Sequence, residues 1–330
     1  MKYCFGVDVG GTAIKVGFFK EDGSLIDKWS VPTVTGDNGI HIYDDAADLI
    51  REKMQSLSIE KKDVLGVGID MPGPVYADGH LGKCSNIFIT GGYPAEEISK
   101  RLSGIKAVAA NDANAAAFGE MWQGAGKGYS SVCMVTLGTG VGGGIIMDGE
   151  IVAGCHGAAG EIGHIKVEDN ETETCNCGGT GCCEFYASAT GIVRVARRII
   201  ASGDPLKPVD ESAPQKYADS ELAGFGSQLS AKDVCDLARE GDELALRVIR
   251  FSMDKLAKAL AYVTYVADPE VFVIGGGVSR SWDVLLPLIN DGIVKYSCLV
   301  KEINRNAIKA ELGSDAGMYG AAALALYKIF

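Results

Sequence analysis

Residues 7–26 read VDVGGTAIKVGFFKEDGSLI, and their pattern returns at residues 136–152 as TLGTGVGGGIIMDGEIV. Each copy has the pattern of a strand, a glycine- and threonine-rich turn, a strand, an Asp-Gly hairpin turn and a third strand. Gly17 and Gly143 fall in register when the two Asp-Gly turns are aligned. The repetition predicts an α/β protein with two related halves, although any glycine-rich β-meander would look similar.

The rest of the chain alternates buried strands with amphipathic helices, as the two halves of an α/β protein require. Strands are predicted at 3–9, 13–20, 25–31, 64–69, 106–110, 131–137, 145–147, 150–152 and 271–274. Helices are predicted at 44–57, 113–122, 187–200, 231–239, 244–261, 282–290 and 318–327. Segment 203–228 is polar and proline-containing, which predicts a loop or a variable insertion.

Composition narrows the classes of function. The chain has 330 residues, 47% of them hydrophobic and 22% charged, with a net charge of -12. This acidity argues against a nucleic-acid partner. The sequence has neither a stretch of about 20 apolar residues nor a signal-type start, which predicts a cytoplasmic protein without a membrane partner.

The two glycine- and threonine-rich turns are candidate phosphate sites, because their backbone N–H groups lack a Cβ in front of them. Ordinary tight β-turns are the alternative. GTGVGG at 138–143 matches the dinucleotide motif, but it leads into a strand and hairpin, whereas that motif opens a helix. A P-loop around Gly126 and Lys127 is also excluded, because Met121 and Gly128 stand where glycine and serine or threonine are required.

Two aspartates stand at the ends of predicted strands. Asp8 precedes the first glycine turn, where Mg²⁺ bound to nucleotide phosphates would suit its carboxylate; a capping aspartate is the alternative. Asp112 lies where a strand meets an alanine-rich helix. It has the chemistry of a general base for a hydroxyl group, or of a helix N-cap.

The stretch CNCGGTGCCE, residues 175–184, carries four of the ten cysteines. Cytosolic thiols stay reduced, and the close spacing of these cysteines disfavours disulfides between them. A C-x-x-C redox motif is absent from the sequence. A metal site is the favoured interpretation, because three cysteines and His164 make the four N/S ligands of tetrahedral zinc.

Taken together, the ordered motifs DVGGTAIK, GPV, NDANAAAFGE, LGTGVGGG, GEIGH and CNCGGTGCCE resemble the ROK family of repressors, open reading frames and sugar kinases. The resemblance spans residue 3 to about residue 320. It implies an actin-like (ribonuclease H-like) ATPase fold with two α/β domains and a central cleft. The expected domains are 1–112 with a C-terminal helix at about 315–330, and 113–314 with the zinc loop.

The resemblance also implies an ATP-dependent sugar kinase, most like the bacterial glucokinases, that takes part in glycolysis. Asp112 would be its general base. The residues implied in substrate binding are Gly73, Asn86, Asn111, Asp112, Glu161, His164 and Glu184. The residues implied in ATP binding are Asp8, Gly10, Gly11, Thr12, Lys15, Gly138, Thr139, Gly140 and Gly276. The ligands implied for a structural Zn²⁺ are His164, Cys175, Cys177 and Cys182.

Outside the resemblance, several of these residues have plainer interpretations. Glu161 alone would be read as a solvated carboxylate, His164 as a structural or exposed histidine, and Gly276 as part of a strand-to-helix turn. Because the phosphate turns lie elsewhere in the sequence, zinc removal is expected to weaken sugar binding before ATP binding.

The sequence leaves the sugar open. The tryptophan usual in glucokinases a few residues after Asn86 is missing. Kinases for N-acetylmannosamine, N-acetylglucosamine, allose or fructose are therefore alternatives. A sugar-responsive regulator without catalysis is the alternative class, disfavoured because only two residues precede the first strand. A homodimer is expected.

Overall fold

The computed structural model describes residues 1–35, 39, 41–84, 87–297 and 307–328. The strands are β1 (Tyr3–Val9), β2 (Ala13–Lys20), β3 (Leu25–Pro32), β4 (Val64–Met71), β5 (Lys83–Cys84), β6 (Ile89–Thr90), β7 (Ala107–Asn111), β8 (Val132–Leu137), β9 (Val141–Met147), β10 (Glu150–Ile151), β11 (Val271–Gly275) and β12 (Ala307–Lys309). The helices are α1 (Ile42–Ser56), α2 (Pro94–Arg101), α3 (Asp112–Gln123), α4 (Glu184–Ala187), α5 (Ala189–Ser202), α6 (Glu221–Gly224), α7 (Ala231–Glu240), α8 (Glu243–Ala267), α9 (Trp282–Tyr296) and α10 (Ala316–Tyr327).

The first sheet has the strand order β3-β2-β1-β4-β7. The hairpin between β2 and β3 turns at the predicted Asp-Gly pair, where Gly23 takes a φ of 88° that favours glycine. β1 pairs antiparallel with β2, and it pairs parallel with β4, which in turn pairs parallel with β7. The sheet therefore begins as a meander and continues through crossover connections.

The second five-stranded sheet repeats this plan, with the order β10-β9-β8-β11-β12. The duplication predicted from the sequence is thus present in the topology. One boundary differs from the prediction, because β9 begins at Val141 and not at Ile145. The glycines read as loop lie inside the strand, where a Cβ on Gly144 would come within 2.6 Å of the Ala113 carbonyl oxygen.

Helix α10 packs directly on the first sheet, which explains glycines in the middle of its strands. A Cβ on Gly68 would lie 1.7 Å from the Ala321 carbonyl oxygen, and one on Gly6 would lie 2.0 Å from that of Met318. The opposite face of the sheet carries the main core around Phe5, with side chains from β2, β4 and α1. This close packing fixes the positions of the strand ends.

The structure divides into two compact units. The first comprises Met1–Met134, Gly144–Gly160 and Ala310–Phe330, and the second comprises Val135–Gly143 and Glu161–Lys309. The expected domain boundaries at 112 and about 315 stay a prediction; the compact first unit also includes α3, which packs on α10. Across the described ranges, no helix combines the length and the apolar character needed to cross a bilayer.

Candidate functional site

Three polar strand ends meet in the first unit. Because β1, β4 and β7 are parallel neighbours, their carboxyl ends lie at one edge of the sheet. Asp8 pairs in register with Asp70, and the next residue along β4 pairs with Asn111. Asp112 follows as the first residue of α3. Asp8, Asn111 and Asp112 were predicted from the sequence as site residues, whereas Asp70 was not.

Asn111 holds the start of α3 and so changes the interpretation of Asp112. Its Oδ1 accepts hydrogen bonds from the backbone N–H groups of Ala113 and Asn114, at 3.0 and 3.2 Å. Its Nδ2 donates to the Gly73 carbonyl oxygen at 3.1 Å and to Asp112 Oδ1 at 2.9 Å. Asn111 is therefore the N-cap, and Asp112 is an exposed carboxylate in the first turn.

The first glycine turn is open to solvent and is held by a hydrogen bond from Thr33. Gly11 and Thr12 are exposed, while the Thr33 hydroxyl donates to the Gly10 carbonyl oxygen at 2.6 Å. Lys15 Nζ lies 3.1 Å from Asp8 Oδ2. The turn thus presents backbone groups beside the positively charged side chain of Lys15, which suits an anionic ligand.

The second glycine turn is bonded to the N-terminus of α5, within the second unit. The Ala189 N–H donates to the Gly138 carbonyl oxygen, and the Thr190 hydroxyl donates to that of Thr139, both at 2.8 Å. Inside the turn, the Gly138 N–H donates to the Gly140 carbonyl oxygen at 3.0 Å. A helix N-terminus at this turn favours a negatively charged ligand.

Gly276 packs against Leu137, the residue just before the second glycine turn. Its φ is 85°, and a Cβ there would lie 2.4 Å from the carbonyl oxygen of Leu137, the residue just before the turn. The glycine is required by this close approach, whatever ligand the turn binds.

The predicted zinc ligands come together in the second unit. The ligand atoms of His164, Cys175, Cys177 and Cys182 all lie within 4.8 Å of one another. The Sγ atoms of Cys177 and Cys182 are 3.6 Å apart, and His164 Nδ1 is 4.0 Å from Cys175 Sγ. Tetrahedral zinc with sulfur at about 2.3 Å separates its ligands by about 3.8 Å. The donor set and its spacing therefore fit zinc.

Backbone hydrogen bonds shape the loop that carries these cysteines. The Cys175 N–H donates to the Gly179 carbonyl oxygen at 2.7 Å, and the Gly179 N–H donates to Cys177 Sγ at 3.5 Å. This N–H group lowers the pKa of Cys177. Cys183 lies outside the cluster and is fully buried, and burial raises the pKa of its thiol, so it stays neutral.

The carboxylates predicted to bind sugar surround His164. Its Nδ1 lies 3.7 Å from Glu184 Oε1, and its Nε2 lies 4.0 Å from Glu161 Oε2. Glu184 Oε1 is also 3.0 Å from Cys175 Sγ, while its Oε2 accepts from the Val141 N–H at 3.3 Å. Glu184 thus contacts both the zinc loop and the strand that follows the second glycine turn. The expectation that zinc removal weakens sugar binding before ATP binding stays a prediction, and Glu184 places the zinc loop next to the second glycine turn in space as well.

A buried ion-pair network, which the sequence argument missed, anchors both ends of the zinc loop. Arg198 of α5 donates to the two oxygens of Glu171 at 2.7 and 3.0 Å, and the Tyr186 hydroxyl donates to Glu171 at 2.7 Å. Arg198 is 1% exposed and Glu171 is 5% exposed. Burial, followed by this hydrogen bond, raises the pKa of Tyr186, so its hydroxyl keeps the proton that it donates.

A cavity of about 250 Å³ lies between the second glycine turn and the zinc loop, lined in part by Thr139, Gly140, Cys175, Glu184 and Arg194. The Arg194 guanidinium stacks 3.7 Å from the centre of the Phe185 ring and donates to the Phe185 carbonyl oxygen. Burial lowers the pKa of Arg194, although a guanidinium stays charged. The cavity therefore combines a cation with open backbone groups.

The two remaining residues predicted to bind substrate are Asn86 and Gly73. Asn86 lies outside the described residues. Gly73 is described, and a Cβ there would lie 2.5 Å from Cys84 Sγ, so glycine is required for packing as well as for any contact with substrate.

A duplicated sheet with a glycine turn in each half and carboxylates at the strand ends defines the actin-like class of ATPase folds. Residues 4–328 match the model of the ROK family. A glucokinase of Halalkalibacterium halodurans is 38% identical over 320 residues, covering 97% of this chain and 93% of that protein.

Solved structures are similar over the same length. A ROK family glucokinase of Streptomyces griseus, in complex with glucose and AMPPNP, has a TM-score of 0.71 and 32% identity, covering 98% of both chains. A ROK family transcriptional regulator, a homolog of the E. coli MLC protein, has a TM-score of 0.81 and 26% identity, covering 99% of this chain and 79% of that one. The chain belongs to the ROK family.

Proposed function

We propose that the protein is an ATP-dependent hexose kinase that converts glucose to glucose 6-phosphate. The observation that carries the proposal is the setting of Asp112. Asn111 caps α3 and holds Asp112 Oδ1 at 2.9 Å, and the Ala113 N–H donates to the same oxygen at 2.8 Å, so the exposed carboxylate is oriented through one oxygen at the start of the helix. A carboxylate in this state is suited to accept the proton that a sugar hydroxyl loses as it attacks phosphorus.

The residues proposed to bind the sugar are carried over from the family pattern. The first unit supplies Gly73 and Asn111 besides Asp112, and the second supplies Glu161, His164 and Glu184; Asn86 is proposed on the family pattern alone. The similarity to glucokinases, one of which binds glucose and AMPPNP, supports glucose as the substrate.

The nucleotide phosphates would lie against the two glycine turns. Gly10, Gly11 and Thr12 with Lys15 form the first, and Gly138, Thr139 and Gly140 form the second, with Gly276 expected near the adenosine. Mg²⁺ fits beside Asp8, whose carboxylate is only 17% exposed and already faces Lys15. When bound, Mg²⁺ supplies charge neutralisation on the transferred phosphoryl group.

The zinc proposal has its own support in the spacing of the four ligands. Three cysteines and one histidine leave no open position, so the ion would be structural and take no part in the chemistry. Its effect would be to fix Glu184, which lies against Cys175. Metal analysis of the purified protein should find about one zinc per chain.

A measurement of turnover distinguishes a sugar kinase from a regulator without catalysis. The regulator is the alternative that the similarity to the MLC homolog supports. ADP release with Mg²⁺ and ATP should be measured across glucose, fructose, allose, N-acetylmannosamine and N-acetylglucosamine. Glucose should give the highest kcat/KM. A lack of stimulation by every hexose would overturn the kinase, and a preference for another sugar would overturn the choice of glucose. Light scattering should find the expected homodimer.

A further inference from the structure

Asp70 and Asp8 lie side by side in the first unit. They are register partners on the neighbouring parallel strands β4 and β1. Both carboxyl groups face Gly317 in the first turn of α10, where a Cβ would lie 2.8 Å from Asp70 Oδ2 and 3.2 Å from Asp8 Cγ. The absence of a side chain at Gly317 therefore lets both carboxyl groups lie close against the start of α10.

Asp70 is a buried acid that makes no close hydrogen bond among the described residues, although the Asp8 carboxyl group and the Val9 N–H group lie near it. It is 0% exposed, and neither of its carboxylate oxygens has a hydrogen-bond partner among the described residues. Its register partner Asp8 places a second carboxyl group beside it, so an uncompensated negative charge on Asp70 would be costly. A carboxyl group in this environment must be neutralised by a proton or by a cation.

The local charge balance favours a cation with two positive charges. Asp8, Asp70 and Asp112 carry three negative charges when ionised, and Lys15, which pairs with Asp8, carries one positive charge, so two negative charges remain. The N-terminus of α10 offsets only about half a charge. Paired carboxylates beside a site for nucleotide phosphates are the usual surroundings of Mg²⁺.

We propose that Asp70 and Asp8 together hold a divalent cation of the Mg²⁺ class beside Gly317, directly or through water. The inference rests on the proposed function for its role in the reaction. Asp70 is then a positioning residue, which places the cation that accompanies ATP near the base Asp112. The binding itself does not depend on the identity of the sugar.

The test is a Mn²⁺ titration of the purified, nucleotide-free protein, followed by electron paramagnetic resonance. Asp70→Asn keeps the size of the side chain and should weaken Mn²⁺ binding by at least about tenfold, because a charged ligand is lost. Asp48→Asn, at an exposed acid on α1, is the matched control and should bind as the native protein does. In turnover assays, Asp70→Asn should also need more Mg²⁺ for half-maximal rate.

Unchanged Mn²⁺ binding by folded Asp70→Asn would overturn the proposal and would mean that Asp70 carries a proton. If that variant does not fold, Gly317→Ala tests the same pair by placing a methyl group 2.8 Å from Asp70 Oδ2, and unchanged Mn²⁺ binding by that variant has the same consequence. A native protein that binds Mn²⁺ through Asp70 but phosphorylates no hexose would refute the proposed function and leave the cation site standing.

Discussion

Replacing Glu171 by glutamine removes the negative charge that faces Arg198 in the second unit. The native carboxylate accepts hydrogen bonds from Nη1 and Nη2 of Arg198, from the Tyr186 hydroxyl and from two backbone N–H groups. Glutamine would keep one acceptor oxygen and turn an amide N–H₂ toward the guanidinium. The variant therefore leaves a buried cation with a poorer partner.

The expected loss in the free energy of unfolding follows from the contacts that Arg198 keeps. Breaking a buried pair by removing one partner costs about 3–5 kcal/mol. Arg198 keeps a second carboxylate, because Glu173 lies 2.5 Å from it, so we expect the lower end, about 3 kcal/mol. Tyr186→Phe removes only one hydrogen bond to the charged group and should cost about 1.5 kcal/mol.

Urea unfolding with saturating zinc, followed by circular dichroism, measures both variants against the native protein. Glu240→Gln, at an exposed acid on α7, is the matched control and should change the free energy of unfolding by less than about 0.5 kcal/mol. A loss below about 1 kcal/mol for Glu171→Gln would refute the reasoning. So would equal losses in the Glu171 and Tyr186 variants, because the effect would then not depend on the ion pair.

Two further variants test the second unit. Cys177→Ser should lower the zinc content and raise the KM for sugar by about 10–100-fold. It should also weaken ATP binding, because Glu184 contacts the Val141 N–H. Full zinc content or unchanged KM values would contradict this prediction. Gly138→Val should weaken ATP binding without unfolding the protein, because a Cβ there meets nothing within 4 Å. Gly224→Val, equally open, is its control, and normal ATP binding by Gly138→Val would return the turn to a structural role.

Local patterns predicted much of the fold. The bounds of β1 and β2 match the sequence prediction, because alternating apolar residues and the Asp-Gly turn are short-range signals. The start of β9 was missed because its glycines were read as a loop. Gly144 lies in the strand for packing against Ala113, a contact between positions far apart in the sequence.

Some residues of the candidate site could be predicted from the sequence and others could not, for physical reasons. The zinc ligands come from one short motif and a nearby histidine, and the structure brings all four together. The pair of Glu171 and Arg198 has no such signal, because its partners are 27 residues apart and meet only in the packed core. Asp70 was missed although an aspartate at the end of a buried strand is the same signal that identified Asp8.

Turnover by Asp112→Asn tests the central claim most directly. Asparagine keeps the size of the side chain, and Asn111 continues to cap α3, so the fold should be retained. The account predicts that kcat for glucose phosphorylation falls by about 10²-fold or more, while glucose binding measured by calorimetry changes little. Near-native kcat in the folded variant would contradict the account, because Asp112 would then be a residue of the helix and not the base.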